Sequence, residues 1–322
     1  MSKGILSKIR GLFLWGKWPL IGIGVFQHSS SDEYDERYHK QYWDTIARFW
    51  DVTPIPVRLS KDTIEIYRCF LKKNEEKWVG KRILILGSTP ELRDLLAEET
   101  IAKIYVADFS EQMPLAMQRF TKYVDSEKEE WIKANWLHLP FPEQYFDVIL
   151  GDLVLQQFPP EKEPLFLEKM CGLLKADGVF ISRFQFLDKT YYHEENLGEI
   201  INKTLDGTLG GRKTIILLKL RILWLYADLK ERKLNRKIAI EKLTDYIRGN
   251  NFGHPHLREV LRLMLSEKDS LRNWSPPEEQ ELMSILSRHF SISEIKVASD
   301  YEDAKYFPVI FLHKAVYSSV VE

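Results

Sequence analysis

From Lys81 onward, short runs of apolar residues alternate with longer segments whose apolar positions recur at helical spacing. Arg82-Ile83-Leu84-Ile85-Leu86 predicts a strand, followed by a helix from Pro90 to about Glu98. Ile104–Ala107 predicts a second strand and Met113–Val124 a second helix, and Trp131–Ala134 a short third strand. Phe146–Leu150 is the fourth, with a helix over Pro164–Leu174, and Gly178–Ser182 the fifth. Continuously apolar strands separated by helices predict a parallel sheet covered on both faces.

The alternation stops after Phe186. The spacing then predicts helices over Ile215–Leu234, Ile238–Ile247, Leu257–Leu265 and Glu278–Ser287, before two closing strands, Ser291–Val297 and Tyr306–His313. Upstream, Ser29–Ser31 with Asp32 and Glu33 makes a polar break. Tyr34–Trp50 then reads as an aromatic-rich helix, stopped by Thr53-Pro54-Ile55-Pro56 because proline disfavours helical geometry at its own and the preceding position. Ser60 is placed to cap a helix over Lys61–Lys73, with Ile64, Tyr67, Phe70 and Leu71 on its apolar side. The expected organisation is an N-terminal segment with cap helices over 1–78, a core over 79–187, a helical insertion over 188–288 and closing strands over 289–322.

At 322 residues the chain can bury a substantial core. A formal net charge of -1 gives no global steering toward nucleic acid or acidic lipid. The two cysteines, Cys69 and Cys171, form no metal motif and suit a reducing cytoplasm better than a disulfide scaffold. No apolar run approaches the roughly 18 residues of a membrane-spanning helix. Residues 1–26 mix Lys3, Lys8, Arg10 and Lys17 with Trp15, Trp18 and other apolar side chains. That mixture suits packing against the protein or a partner chain, with peripheral membrane contact as the alternative.

In a doubly wound sheet, ligands bind beyond the carboxyl ends of the strands. The first such end is Leu86-Gly87-Ser88-Thr89-Pro90-Glu91-Leu92. Gly87 allows close backbone approach, Ser88 or Thr89 can cap the next helix, Pro90 suits its first turn, and Ser88-x-x-Glu91 fits a capping box. The free N–H groups of that helix start suit a ligand carboxylate or phosphate. The dinucleotide fingerprint G-x-G-x-x-G is absent. The second end, Val106-Ala107-Asp108-Phe109-Ser110, puts a carboxylate about 20 residues beyond Gly87, a spacing that favours ribose binding over helix capping. The third, Asn135-Trp136-Leu137-His138, offers an amide for an adenine edge and an indole for its ring, or equally a polar turn over a buried tryptophan.

Residues from about Lys81 to Phe186 resemble the class I S-adenosylmethionine-dependent methyltransferases. The resemblance rests on Leu139-Pro140-Phe141 followed by Phe146-Asp147-Val148-Ile149, and on Lys175-Ala176-Asp177-Gly178 leading into the fifth strand. It implies an α/β, Rossmann-like, doubly wound seven-stranded sheet, with N-terminal helices and a helical insertion between its fifth and sixth strands. It also implies S-adenosyl-L-methionine as cofactor. Gly87, with Ser88 and Thr89, would approach the methionine portion, Asp108 with Phe109 the ribose, and Asn135 with Trp136 the adenine. The first turn departs from the usual acidic, glycine-rich pattern and resembles a variant branch with Gly-x-Thr-Pro-x-Leu. Arg58, in a segment resembling that branch's Pro-x-Arg-Pro-Ser, would hold the ligand carboxylate, although a surface arginine fits as well.

Asp152, at the end of the fourth strand, is expected to face the reacting centre, where it binds the ligand amino group or positions a nucleophile; a loop cap fits equally. Tyr38 and His39 are candidates for the catalytic site, His193, His254 and His256 are further histidines to consider as base, and Tyr42 and Trp43 are candidate pocket walls. His254-Pro255-His256 supplies too few ligands for a metal site. The segment from Arg212 to Lys237 carries Lys219, Arg221, Arg232, Lys233, Arg236 and Lys237 around Trp224 and Tyr226, and reads as an amphipathic helix with a solvated basic face. The leading expectation is methyl transfer to a small or medium-sized acceptor under the insertion. The alternatives are a catalytically silent ligand-binding scaffold, and an RNA or protein methyltransferase that uses the basic insertion.

Overall fold

The computed structural model describes Trp43, Ile46, Ala47 and residues 50–73, 80–99, 103–110, 112–124, 129–188, 196–207, 209–250, 254–270 and 272–315. The expectations for residues 1–26, Tyr38, His39, Tyr42 and His193 lie outside these residues.

Seven strands form one sheet: β1 Arg82–Leu86, β2 Lys103–Asp108, β3 Glu129–Lys133, β4 Phe146–Asp152, β5 Leu174–Arg183, β8 Phe290–Lys296 and β9 Val309–Lys314. Their spatial order is β3-β2-β1-β4-β5-β9-β8. The first five run parallel, while β9 is antiparallel to both β5 and β8. This is the expected doubly wound α/β sheet with its closing antiparallel pair. The strand order reverses between β1 and β4, which opens a crevice beyond their carboxyl ends.

Alternate residues of each strand go to opposite faces. Ile83 and Ile85 of β1 join Val106, Val148, Leu150 and Ile181 in a core with Tyr67 and Leu71 of α1 (Lys61–Lys73) and Leu92 and Leu96 of α2 (Pro90–Glu99). Leu84 and Leu86 face the other way, into a core with Phe166 and Met170 of α4 (Glu163–Leu173) and Leu282 and Leu286 of α9 (Glu279–Ser287). Helix α1 starts as expected, since Ser60 Oγ accepts from the Thr63 N–H at 3.1 Å. Tyr67 then fastens α1 to the sheet: its hydroxyl donates to Gly151 O at 2.7 Å and accepts from the Arg183 N–H at 2.7 Å. Buried Asp147, from the Phe-Asp pair that the resemblance singled out, accepts from the Arg82 N–H at 2.9 Å and from Lys175 Nζ at 2.8 Å. It thereby ties β4 to the start of β1.

Two helices end earlier than the spacing predicted. Helix α3 runs only over Gln112–Gln118, because Asp94 captures the following backbone through the Lys122 and Tyr123 N–H groups. Helix α6 spans Gly211–Leu225 rather than reaching Leu234. A two-stranded hairpin follows, β6 Ala227–Asp228 with β7 Lys233–Leu234. Asp228 Oδ1 accepts from the Glu231 N–H within its turn, and Arg232 stands at φ +51°. With α5 (Leu197–Leu205), α7 (Arg236–Gly249) and α8 (Pro255–Ser266), α6 builds a separate apolar core around Ile201, Leu218, Ile222, Leu243, Val260 and Met264. No helix among the described residues is long and apolar enough to cross a membrane.

Candidate active site

The crevice between β1 and β4 opens into a cavity of about 770 Å³. The end nearest β1 is assembled around two consecutive residues of β2. Ala107 O accepts from the Gly87 N–H at 2.8 Å and from Trp136 Nε1 at 2.9 Å, which draws the ends of β1 and the segment after β3 together. Asp108, 6% exposed, accepts from Ser88 Oγ at 2.7 Å through Oδ2 and from the Ser110 N–H at 2.9 Å through Oδ1. Gly87 stands at φ +84°, a left-handed conformation that glycine adopts without steric cost. The Trp136 indole lies beside it: a Cβ built on Gly87 would stand 3.7 Å from the ring.

Gly87, Ser88, Thr89, Asp108, Phe109, Trp136 and Asp152 all line this cavity. Two expected ligand contacts do not. Asn135 Oδ1 accepts from the Leu137 N–H at 3.0 Å and caps the short 3-10 turn Trp136–His138. Arg58 gives its Nε and Nη2 to Glu91 Oε1 at 3.2 and 2.7 Å. The expected capping box is therefore not formed: Ser88 turns to Asp108, and Glu91 takes the guanidinium of Arg58. Thr89 O accepts from the Arg93 N–H instead, so Thr89 opens α2 with its backbone.

Across the crevice, Asp152 accepts from Arg183 Nε at 2.7 Å and Nη2 at 3.1 Å, and both side chains are buried. Burial pushes the Asp152 carboxyl above its ordinary range, against the pull of the Arg183 guanidinium. Burial equally opposes the Arg183 charge, but Asp152 outweighs it and holds the guanidinium protonated. Asp152 thus faces the cavity as half of a neutralised pair. Leu153 follows at φ +53°, a strained backbone held by its N–H bond to Arg183 O at 2.9 Å.

Residues 86–182 match the family model described as a methyltransferase domain. Over that stretch the core is similar to methyltransferase domains. No curated protein matches the sequence. Among solved structures, the chain is similar to a putative Zn-dependent alcohol dehydrogenase from Rhodobacter sphaeroides, with 15% identity, a TM-score of 0.51, and coverage of 86% of this chain and 98% of that one. That likeness is one of fold. It is also similar to magnesium protoporphyrin IX methyltransferase from Synechocystis PCC 6803 with bound S-adenosylhomocysteine: 14% identity, TM-score 0.49, and coverage of 87% and 100%. A third is 1,6-didemethyltoxoflavin-N1-methyltransferase from Burkholderia thailandensis: 13% identity, TM-score 0.48, and coverage of 89% and 92%.

The other end of the cavity is built where the core meets the 196–287 helices. Trp43, Ile46 and Trp50 line its upstream wall, and Leu223, Trp224, Trp274 and Phe307 line it from the far side. The expected solvated basic face is not there. Arg221 is buried on Asp303, with Nη2 at 2.7 Å, and Arg232 is buried in a two-point contact with Glu163 at 2.6 and 2.7 Å. Lys219 pairs with Glu267 at 2.7 Å, while Lys233 and Lys237 are exposed. Helix α6 buries Arg221, and the hairpin after it Arg232, because acids from neighbouring elements meet them, which a one-segment pattern does not reveal. Burial pushes the Glu163 carboxyl up, against the pull of Arg232.

Sequence reasoning missed Gln185, Trp274, Ser275 and Phe307, which also line the cavity. Phe307 and Ser275 lie more than 80 residues from the core motifs, and only the fold brings them there. His254 sits at the start of α8, where Nδ1 accepts from the His256 N–H at 3.3 Å, and neither histidine lines the cavity.

Proposed function

We propose that this protein transfers a methyl group from S-adenosylmethionine to a small or medium-sized acceptor. The nucleoside would lie over Gly87 and against Trp136, with its ribose hydroxyls on Asp108. The observation that carries this reading is the Ser88–Asp108–Ser110 arrangement at the switch point: a buried carboxylate, oriented by the Ser88 hydroxyl and the Ser110 N–H, that lines the cavity beyond the strand ends. The left-handed Gly87 beside it gives a ligand close access to the backbone. When bound, the donor supplies an electrophilic methyl on a sulfonium centre.

What the chain contributes is alignment and exclusion of water. Asp152, neutralised by Arg183, would supply a fixed dipole at the reacting end rather than a free base. The 188–288 insertion would act as the acceptor-site lid, since Trp224, Trp274 and their neighbours close the cavity opposite β4. A cavity of about 770 Å³, within the range of small-molecule sites, and the internal pairing of Arg221 and Arg232 favour a small molecule over RNA.

Calorimetric titration with S-adenosylmethionine and S-adenosylhomocysteine, beside Asp108→Ala, tests the reading. Micromolar binding that the substitution weakens more than tenfold is expected. Absence of binding by the folded protein would overturn it.

A further inference from the structure

At the insertion end of the cavity, four buried side chains present polar atoms that have no hydrogen-bond partner among the described residues: Gln156 Oε1, Gln185 Nε2, Ser275 Oγ and Arg232 Nε. Each of these residues is 8% exposed or less. Buried polar atoms are satisfied in nearly all native structures, because leaving one bare costs about 1–3 kcal/mol. Four in one cavity mark a place where something else supplies the partners.

They are also one connected unit. Gln156 Nε2 donates to Gln185 O at 3.1 Å, which fixes the amide orientation and leaves Oε1 as the open acceptor. Gln156 O accepts from Arg272 Nη2 and Trp274 Nε1, both at 3.1 Å. The next residue, Ser275, exchanges backbone contacts with Arg232: its N–H donates to Arg232 O at 2.9 Å, and its O accepts from Arg232 Nη2 at 3.2 Å. Gln156 stands four residues beyond Asp152, so the unit begins at the reacting end of β4 and finishes in the insertion.

We infer that this unit is the acceptor's recognition site, and that it takes a neutral, flat ring compound with adjacent hydrogen-bond donor and acceptor groups, of the lactam type. This rests on the methyltransferase reading above. The ligand N–H would donate to Gln156 Oε1 and its carbonyl would accept from Gln185 Nε2, with Ser275 Oγ serving either group. An anion is disfavoured because Arg232 is already neutralised by Glu163, and Glu281 lies 3.4 Å from its Nη1. Of the described residues lining the cavity, four are basic and four acidic, so no net charge selects a carboxylate or phosphate. Trp224 and Phe307, with ring centroids 6.0 Å apart, supply the apolar wall a ring compound needs.

The test is calorimetric titration of the full chain, saturated with S-adenosylhomocysteine, using three probes of similar size: 2-quinolinone, its N-methyl derivative and quinoline-2-carboxylate. The lactam is expected to bind about tenfold more tightly than either of the others. Gln185→Met is expected to weaken it about tenfold while leaving the S-adenosylhomocysteine affinity within twofold. If the wild-type protein binds S-adenosylhomocysteine but does not favour the lactam, water serves these atoms and the inference is overturned, with the methyltransferase reading intact. If S-adenosylhomocysteine itself does not bind, the underlying reading fails and this inference fails with it.

Discussion

The hydroxyl of Ser88 donates to Oδ2 of Asp108 at 2.7 Å, which joins the carboxyl ends of two neighbouring parallel strands across the crevice floor. The bond holds the carboxylate in one orientation before any ligand arrives. Ser88→Ala removes that restraint but keeps the charge. We expect S-adenosylhomocysteine affinity to fall about three- to tenfold and stability to fall by about 1 kcal/mol, as for loss of one buried hydrogen bond. Calorimetry and thermal melting check the two numbers separately. An unchanged affinity would show that the hydroxyl does not orient Asp108 for binding.

Gly87→Ala tests the backbone rather than the side chains. At φ +84° an added Cβ is strained, at a cost of about 1–2 kcal/mol. The nearest Trp136 atom, at 3.7 Å, is at ordinary contact distance, so the cost is one of backbone conformation and not of a clash. A melting temperature lowered by several degrees is expected, with weaker nucleoside binding because the β1 turn relaxes. A variant as stable as the wild type would mean that the turn readily adopts another conformation.

The buried Asp152–Arg183 pair is expected to show strong coupling. Arg183→Met leaves an uncompensated buried carboxylate, a change that typically costs about 3–5 kcal/mol. It also removes the guanidinium contacts to Val57 O and Arg58 O that hold the segment before α1. Adding Asp152→Leu removes the stranded charge, so the double variant should recover part of the loss in urea denaturation. Strictly additive losses would show that the two side chains do not act as a pair.

The sheet was legible because five apolar strands and their helices carry local patterns that one core satisfies together. The meeting of Gly87 and Asp108 at one end of the cavity was legible for a related reason. Gly87 and Asp108 each end a strand, and strand ends converge once the order of the sheet is known. Asn135 was read at its strand end as an adenine contact or equally a polar turn, and Arg58 by resemblance as a carboxylate ligand or a surface arginine; the structure pairs Asn135 with the Leu137 N–H in a turn and Arg58 with Glu91. The 188–288 region was legible as helical but not as a surface. Arg221 and Arg232 look solvated in their own segment, and become buried only because Asp303 and Glu163, 82 and 69 residues away, meet them. For the same reason the acceptor end escaped the sequence. Gln156, Gln185 and Ser275 are ordinary polar residues until three separate loops bring them to one wall.

Asp147 should make stability depend on pH in a predictable direction. Burial pushes its carboxyl up, but the Arg82 N–H and the ammonium groups of Lys175 and Lys81 outweigh burial and hold it below the ordinary carboxylate range. A carboxyl whose folded pKa is depressed adds stability above its unfolded pKa of about 3.9, and that contribution is lost as pH falls through the folded value. Asp147→Asn keeps an acceptor for Arg82 but removes the charge. The wild type should therefore exceed the variant by about 1–2 kcal/mol at pH 6–7, where the carboxylate is ionised. The gap should narrow once the pH falls below the unfolded value of about 3.9, and close only below the depressed folded value, where the folded carboxyl also becomes neutral. Urea denaturation of both proteins across that range measures the difference directly, and cancels the titration of every carboxylate they share. A gap that stays constant down to the lowest pH at which both proteins fold would assign the stabilisation to shape and hydrogen bonding, and remove charge from the account of why an aspartate stands at the start of β4.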